Sequence, residues 1–119
     1  MSRLKTLVVP AAAAAALALA ASASAAPPSL AGTVGPGFTI TLKDKAGKTV
    51  QNLKPGKYTF VINDLANIHN FHLTGPGVDK ATDIGGTGTT KWTVSLKKGS
   101  YGYVCDPHAS SMNGKFTVG

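Results

Sequence analysis

The chain has 119 residues, enough for one small domain, and carries twelve Lys and Arg against five acidic residues, a formal charge of +7. Binding to nucleic acid calls for arginine and aromatics clustered together, and Arg3 is the only arginine, so that class is excluded. A disulfide scaffold is excluded too, because Cys105 is the only cysteine.

Arg3 and Lys5 open the chain, and Leu7 to Ala21 is an apolar stretch dominated by alanine. Small residues follow in Ala21-Ser22-Ala23-Ser24-Ala25-Ala26. That order is the order of a secretory signal peptide. Pro27 would obstruct a cut just before it, which places cleavage after Ala25 and divides the chain into a leader, 1–25, and an exported domain, 26–119. The apolar core runs about 15 residues, short of the roughly 20 of a spanning helix, so no stable membrane insertion is expected. The destination is the periplasm or the extracellular space. Once Arg3 and Lys5 leave with the leader, ten lysines face five aspartates, and a solvated lysine surface is the expected result.

After the leader, short runs alternate between apolar and polar residues. Phe38, Ile40 and Leu42 share one face, as do Tyr58, Phe60 and Ile62, then His69, Phe71 and Leu73. Trp92, Val94 and Leu96 follow, then Tyr101, Tyr103 and Cys105, then Phe116 and Val118. Period two with β-branched and aromatic residues predicts strands. Turn signals at Lys45-Ala46-Gly47-Lys48, Pro55-Gly56, Gly75-Pro76-Gly77 and Lys98-Gly99 separate them. Seven to eight short strands at this spacing predict an all-β, antiparallel Greek-key sandwich. Leu53-Lys54-Pro55-Gly56-Lys57-Tyr58 is echoed by Leu96-Lys97-Lys98-Gly99-Ser100-Tyr101, two turns that each feed a strand opening with tyrosine. Gly85-Gly86-Thr87-Gly88 is read as a connection, because a phosphate loop needs a helix after it and a strand follows here.

The chemistry gathers in Tyr103-Val104-Cys105-Asp106-Pro107-His108-Ala109-Ser110-Ser111-Met112. A lone thiol in an exported chain has no disulfide partner, which leaves metal ligation as its best explanation. Thiolate, imidazole and thioether are ligands that suit copper. The predicted strand that ends at Cys105 and the one that resumes at Lys115 would hold Cys105, His108 and Met112 in one tight loop. His69 shares a face with Phe71 and Leu73 and points inward, where a neutral metal-bound imidazole is satisfied and a charged one is costly. Two histidines, a cysteine and a distant methionine make up the blue-copper set. His72 falls on the opposite face and is read as a surface residue, and Trp92 is read as core.

Ile68-His69-Asn70, Tyr103-Val104-Cys105-Asp106-Pro107-His108 and Met112-Asn113-Gly114-Lys115-Phe116 resemble the small cupredoxins, within them the plastocyanin- and amicyanin-like group. The resemblance covers most of residues 30–119. It implies one copper per chain, cycling between Cu(I) and Cu(II), with His69, Cys105 and His108 as equatorial ligands and Met112 as the axial ligand. It further implies that Asn70 fastens the loop and turns its backbone N–H toward the cysteine sulfur. The spacing from His108 to Met112 lies between that of plastocyanins and that of amicyanins.

The function expected is an exported one-electron carrier, not an enzyme, that serves a redox partner protein as a monomer. Copper oxidases and nitrite reductases need further histidine-built centres, and this chain has three histidines in all. A binuclear site needs a second bridging cysteine. The alternative is a copper carrier or store that supplies metal to an oxidase, although such proteins favour exposed methionine- and histidine-rich sites and only Met112 follows the leader.

Overall fold

The structure, a computed structural model, describes residues 25–119. The expected leader lies outside the described residues except for Ala25.

Among the described residues nine strands form, in chain order β1 Ser29–Val34, β2 Ile40–Lys43, β3 Asn52–Leu53, β4 Gly56–Asp64, β5 His72–Gly75, β6 Val78–Ala81, β7 Gly88–Leu96, β8 Gly99–Val104 and β9 Asn113–Val118. They make two sheets, ordered β2-β1-β4-β7 and β3-β9-β8-β5-β6. This is the expected sandwich, with two refinements. Nine strands replace seven or eight, and two of the pairings, β1 with β4 and β3 with β9, are parallel. Parallel neighbours cannot be joined by a hairpin. Here the chain runs through β2 and β3 before β4 returns beside β1, so the parallel pairing records a crossover between sheets.

Alternation decides which residues form the core. Along β4, Tyr58, Phe60, Ile62 and Asp64 are buried while their neighbours are at least partly exposed. Tyr58, Phe60 and Ile62 join Val94 and Leu96 of β7, Tyr101 and Tyr103 of β8, and Phe116 and Val118 of β9 in one cluster. Tyr103 stacks on Phe71, and Tyr101 on Phe116, each pair with centroids 5.3 Å apart and planes 9° from parallel. Trp92 is half-buried at the edge of this cluster rather than within it. Gly75 and Gly114 leave room for the tyrosines, since an added Cβ would lie 2.1 Å from the Tyr101 ring or 2.2 Å from that of Tyr103.

The sequence echo has a structural counterpart. The Tyr58 hydroxyl donates to the carbonyl of Lys54 at 2.7 Å, and the Tyr101 hydroxyl to that of Lys97 at 2.8 Å, each four residues back. Gly56 and Gly99 take nearly the same positive φ, 153° and 151°. Each tyrosine closes the turn that feeds its own strand.

Strand register assigns every connection to one of two ends. Residues 35–39, 65–71, 82–87 and 105–112 lie at the end where Val34 pairs with Asp64 and Asp64 with Gly88. Lys54, Lys57, Lys97 and Lys98 lie at the opposite end, where Gly56 pairs with Leu96. The glycine-rich run is a connection, as expected, although β7 already begins at Gly88 because it pairs with β4 over nine residues.

Candidate metal centre

The loop after β8 is built to bring its side chains back on themselves. Cys105 caps a single 3-10 turn, Asp106–His108, with Pro107 in its first positions. Proline suits that place because its ring presets φ and no N–H is needed there. The His108 N–H donates to the Cys105 carbonyl at 3.0 Å, and the Met112 N–H to the His108 carbonyl at 2.8 Å. The Cys105 N–H then donates to the Met112 carbonyl at 3.0 Å, which closes the loop. Cys105, His108 and Met112 are thus tied to one another through their own backbones.

His69 comes from the connection between β4 and β5. The expected strand through residues 69–73 starts only at His72, yet His69 and Phe71 are fully buried. The Nδ1 atoms of His69 and His108 lie 3.2 Å apart, and Cys105 Sγ lies 3.6 Å from the first and 3.5 Å from the second. The centre of that triangle is about 2 Å from each corner, close to the bond length between a first-row metal and an imidazole nitrogen. Three lone-pair donors facing one another are all satisfied at once by a shared cation. His69 and Cys105 have no exposed surface, and His108 is half-buried. The Nε2 of His69 is buried without a hydrogen-bond partner. Met112 is also fully buried, in the loop that carries Cys105 and His108.

Asn70 fastens this loop to the rest of the sandwich. Its Nδ2 donates to Asp106 Oδ2 and its Oδ1 accepts from the Asp106 N–H, both at 2.7 Å. The site's other carboxylate, Asp64, accepts from the Ala66 N–H at 3.1 Å, and burial pushes its pKa up.

Two features escape a reading of the sequence. Phe38, expected to face inward with Ile40 and Leu42, is 61% exposed and stands edge-on to the rings of both His69 and His108, with centroids 5.4 and 5.0 Å away. The Gly35-Pro36-Gly37 run before it was the available signal, because it makes Phe38 part of a turn rather than a strand. His72 does point away from the metal triangle, as its place on the opposite face requires, but it is bound on both sides. Its Nδ1 meets the Asp106 carboxylate at 2.8 Å, and its Nε2 meets that of Asp79 at 2.6 Å. No local pattern announces that pairing, which draws Asp79 from β6 and Asp106 from the loop after β8.

A two-sheet β-sandwich whose buried histidine-cysteine-histidine triangle lies at one end is the architecture of a cupredoxin, with a single type 1 copper site. Residues 47–119 match the family of copper binding proteins described as plastocyanin/azurin, and the chain belongs to that family. Among solved structures it is similar to reduced rusticyanin, at 21% identity and a TM-score of 0.58 over 76% of this chain and 78% of that one. It is likewise similar to rusticyanin from Thiobacillus ferrooxidans, at 22% identity and a TM-score of 0.56, with 76% of each chain covered. No curated protein matches the chain. The family and the fold make this protein a blue-copper electron carrier in general terms.

Proposed function

We propose that the protein is an exported, monomeric one-electron carrier, that His69, Cys105 and His108 would hold copper with Met112 as a further ligand, and that it meets its redox partner through the His108 end. Copper supplies a Cu(I)/Cu(II) couple when bound. The chain's residues do the rest. The closed loop and the two sheets fix the donor atoms, so that little has to move when the charge changes. The burial of His69, Cys105 and Met112 keeps water from the metal, and the half-buried His108 offers an edge through which an electron can pass.

The observation that carries this reading is the character of the end of the sandwich at which His108 lies. Among the described residues Phe38, Leu65, Ile68 and Ile84 are the exposed large apolar ones, between 45% and 61% exposed. All four lie on the connections at the metal end. Those connections carry no lysine, although ten lysines follow the leader. An end that is rich in exposed apolar side chains, free of lysine and carries one half-buried imidazole supports brief docking to a protein partner. It supports neither a substrate that must coordinate the metal nor a store that must release it, since ligand exchange would have to reach buried atoms.

The test is to load the full domain with one equivalent of copper and record its absorption and voltammetry. An intense blue band with a reversible one-electron wave is expected. Cys105→Ser should remove the band while leaving weak Cu(II) binding, because thiolate-to-copper charge transfer needs the sulfur. A serine variant that stays blue overturns the ligand assignment. Rapid loss of Cu(I) to a mild chelator would favour the storage reading instead.

A further inference from the structure

His72 is three residues from His69, takes no part in the metal triangle, and is nevertheless held more tightly than a surface histidine needs to be. Its side chain is 24% exposed. Asp106 faces it from the metal-ligand loop, at 2.8 Å through Oδ1 and 3.0 Å through Oδ2, and Asp79 faces it from β6 at 2.6 Å. The neighbouring strand β8 presents Val104 opposite His72, and β6 presents Ala81, so no further charged group is paired with it across either strand. An ionised carboxylate only accepts hydrogen bonds, and a neutral imidazole has only one N–H. Both bonds therefore form together only when His72 is an imidazolium. The same chemistry draws its pKa above the usual imidazole value, with the Asp106 bond the larger cause and the Asp79 bond the next, and holds that of Asp106 below the usual carboxylate range.

Asp106 links this charge to the metal. It directly follows Cys105, and its carboxylate is shared between His72 and Asn70. Its N–H is bound by Asn70 as well. Exposed ion pairs of this kind contribute little stability. What the arrangement provides is a fixed positive charge one residue removed from the ligand set, set against the negative charge of Asp106.

We propose that His72 is a positioning residue for the electron-transfer site: as an imidazolium clamped between Asp79 and Asp106 it holds the ligand loop in place, and its proton couples the copper couple to pH. This rests on the electron-carrier reading. The balance is simple. Cu(II) gains one electron from the donor, and where His72 has lost its proton, reduction favours return of one proton from solvent to the imidazole. Removing that proton takes a positive charge from beside the site and favours Cu(II), so the reduction potential falls as pH rises through the His72 pKa and then levels. The linkage to stability has the same sense. A raised histidine pKa gives stability that is full below the ordinary value of about 6.5 and is lost as pH rises through the folded value.

Two measurements on the full domain separate this proposal from the reading it rests on. The first is an NMR titration of the His72 ring in metal-free protein from about pH 5 to about pH 9, the range in which histidine switches. His72 should titrate above the ordinary value, and Asp79→Asn should move its midpoint down. The second is the reduction potential of copper-loaded protein over the same range. Wild type should show a step that His72→Gln flattens and Asp79→Asn shifts to lower pH, with blue absorption kept in both variants. Identical profiles for wild type and His72→Gln overturn the proposal, and so does an His72 titration midpoint at or below the ordinary value. Should the loaded protein give no reversible wave, the electron-carrier reading and the coupling fall together, while the metal-free titration still decides the clamp.

Discussion

Asn70→Ala is the substitution that most directly weighs the attachment of the ligand loop. Asn70 is 2% exposed and makes two bonds of 2.7 Å to Asp106, one from its amide to the carboxylate and one from the Asp106 N–H to its oxygen. The bond to the backbone N–H is neutral and contributes about 1 kcal/mol. The bond to the ionised carboxylate belongs at the low end of the charged range, about 1.5 kcal/mol, because Asp106 is partly exposed. The loss is therefore about 2.5 kcal/mol. For a domain of this size each kcal/mol moves the melting midpoint by about 4–8 °C, so the metal-free variant should melt about 10–20 °C lower. Thermal and urea unfolding of the metal-free domain measure this, and copper titration should show weaker binding, because the metal must now also order the loop. Asn70→Asp provides the cross-check. It keeps the acceptor for the Asp106 N–H but sets carboxylate against carboxylate, so it should be poor at neutral pH and recover in part as the pair takes up a proton. An Asn70→Ala protein that melts within about 2 °C of wild type would refute the reasoning, since that is the size of an unremarkable surface change.

Copper loading at a thousandfold excess over Kd should raise the melting point by roughly 16–32 °C, because a ligand that binds only the native state then adds about 4 kcal/mol; coincident melting curves with and without metal would count against an integrated site. Met112→Leu should keep the blue colour and raise the reduction potential, since an apolar group replaces a weak donor, while Met112→Gln should lower it because an amide oxygen favours Cu(II). If neither changes the potential, Met112 only fills the core. Gly114→Ala places a Cβ 2.2 Å from the Tyr103 ring, which is stacked on Phe71 and cannot retreat, so a loss of about 1–3 kcal/mol in urea unfolding is expected. Gly37→Ala, with nothing within 4 Å of its added Cβ, is the neutral control. Intact-mass measurement of exported protein should place the amino terminus at Ala26 within two residues, and a full-length mass would rule out cleavage.

Much of the sandwich is legible in the sequence because a half-buried strand writes its inward face at every second residue, as Tyr58, Phe60 and Ile62 do. The cluster of His69, Cys105 and His108 is legible because Cys105 and His108 share one short loop and soft donors are rare elsewhere in the chain. What stays hidden depends on the pairing of distant segments. The parallel neighbours β1 and β4 follow from a crossover that leaves no local mark. Leu30 and Val34 of β1 are separated by Gly32, whose added Cβ would come within 2.5 Å of Ile62, so that strand lacks the side chain that would complete its alternation. Phe38 is apolar and in phase with Ile40 and Leu42, yet the preceding Gly-Pro-Gly turn moves it out of the sheet and over the histidines. His72 reads as an idle surface group until Asp79 and Asp106, from two other segments, are placed against it.

The division of connections between the two ends has an electrical consequence. The nine residues of β4 span about 30 Å at the usual rise per strand residue. Lys54, Lys57, Lys97 and Lys98 stand at one end of that length, and Asp64, Asp83 and Asp106 at the other. The described domain is thus unevenly charged along its long strands, with a lysine pole at the end away from His108. At low ionic strength a charged surface exerts a torque on such a molecule before the two touch. An acidic surface draws the lysine pole and leaves His108 facing away from it, whereas a basic or neutral one can receive the imidazole directly. Salt shortens the reach of this effect to about 8 Å under physiological conditions, well below the distance between the two ends, so each end then meets its surroundings on its own terms.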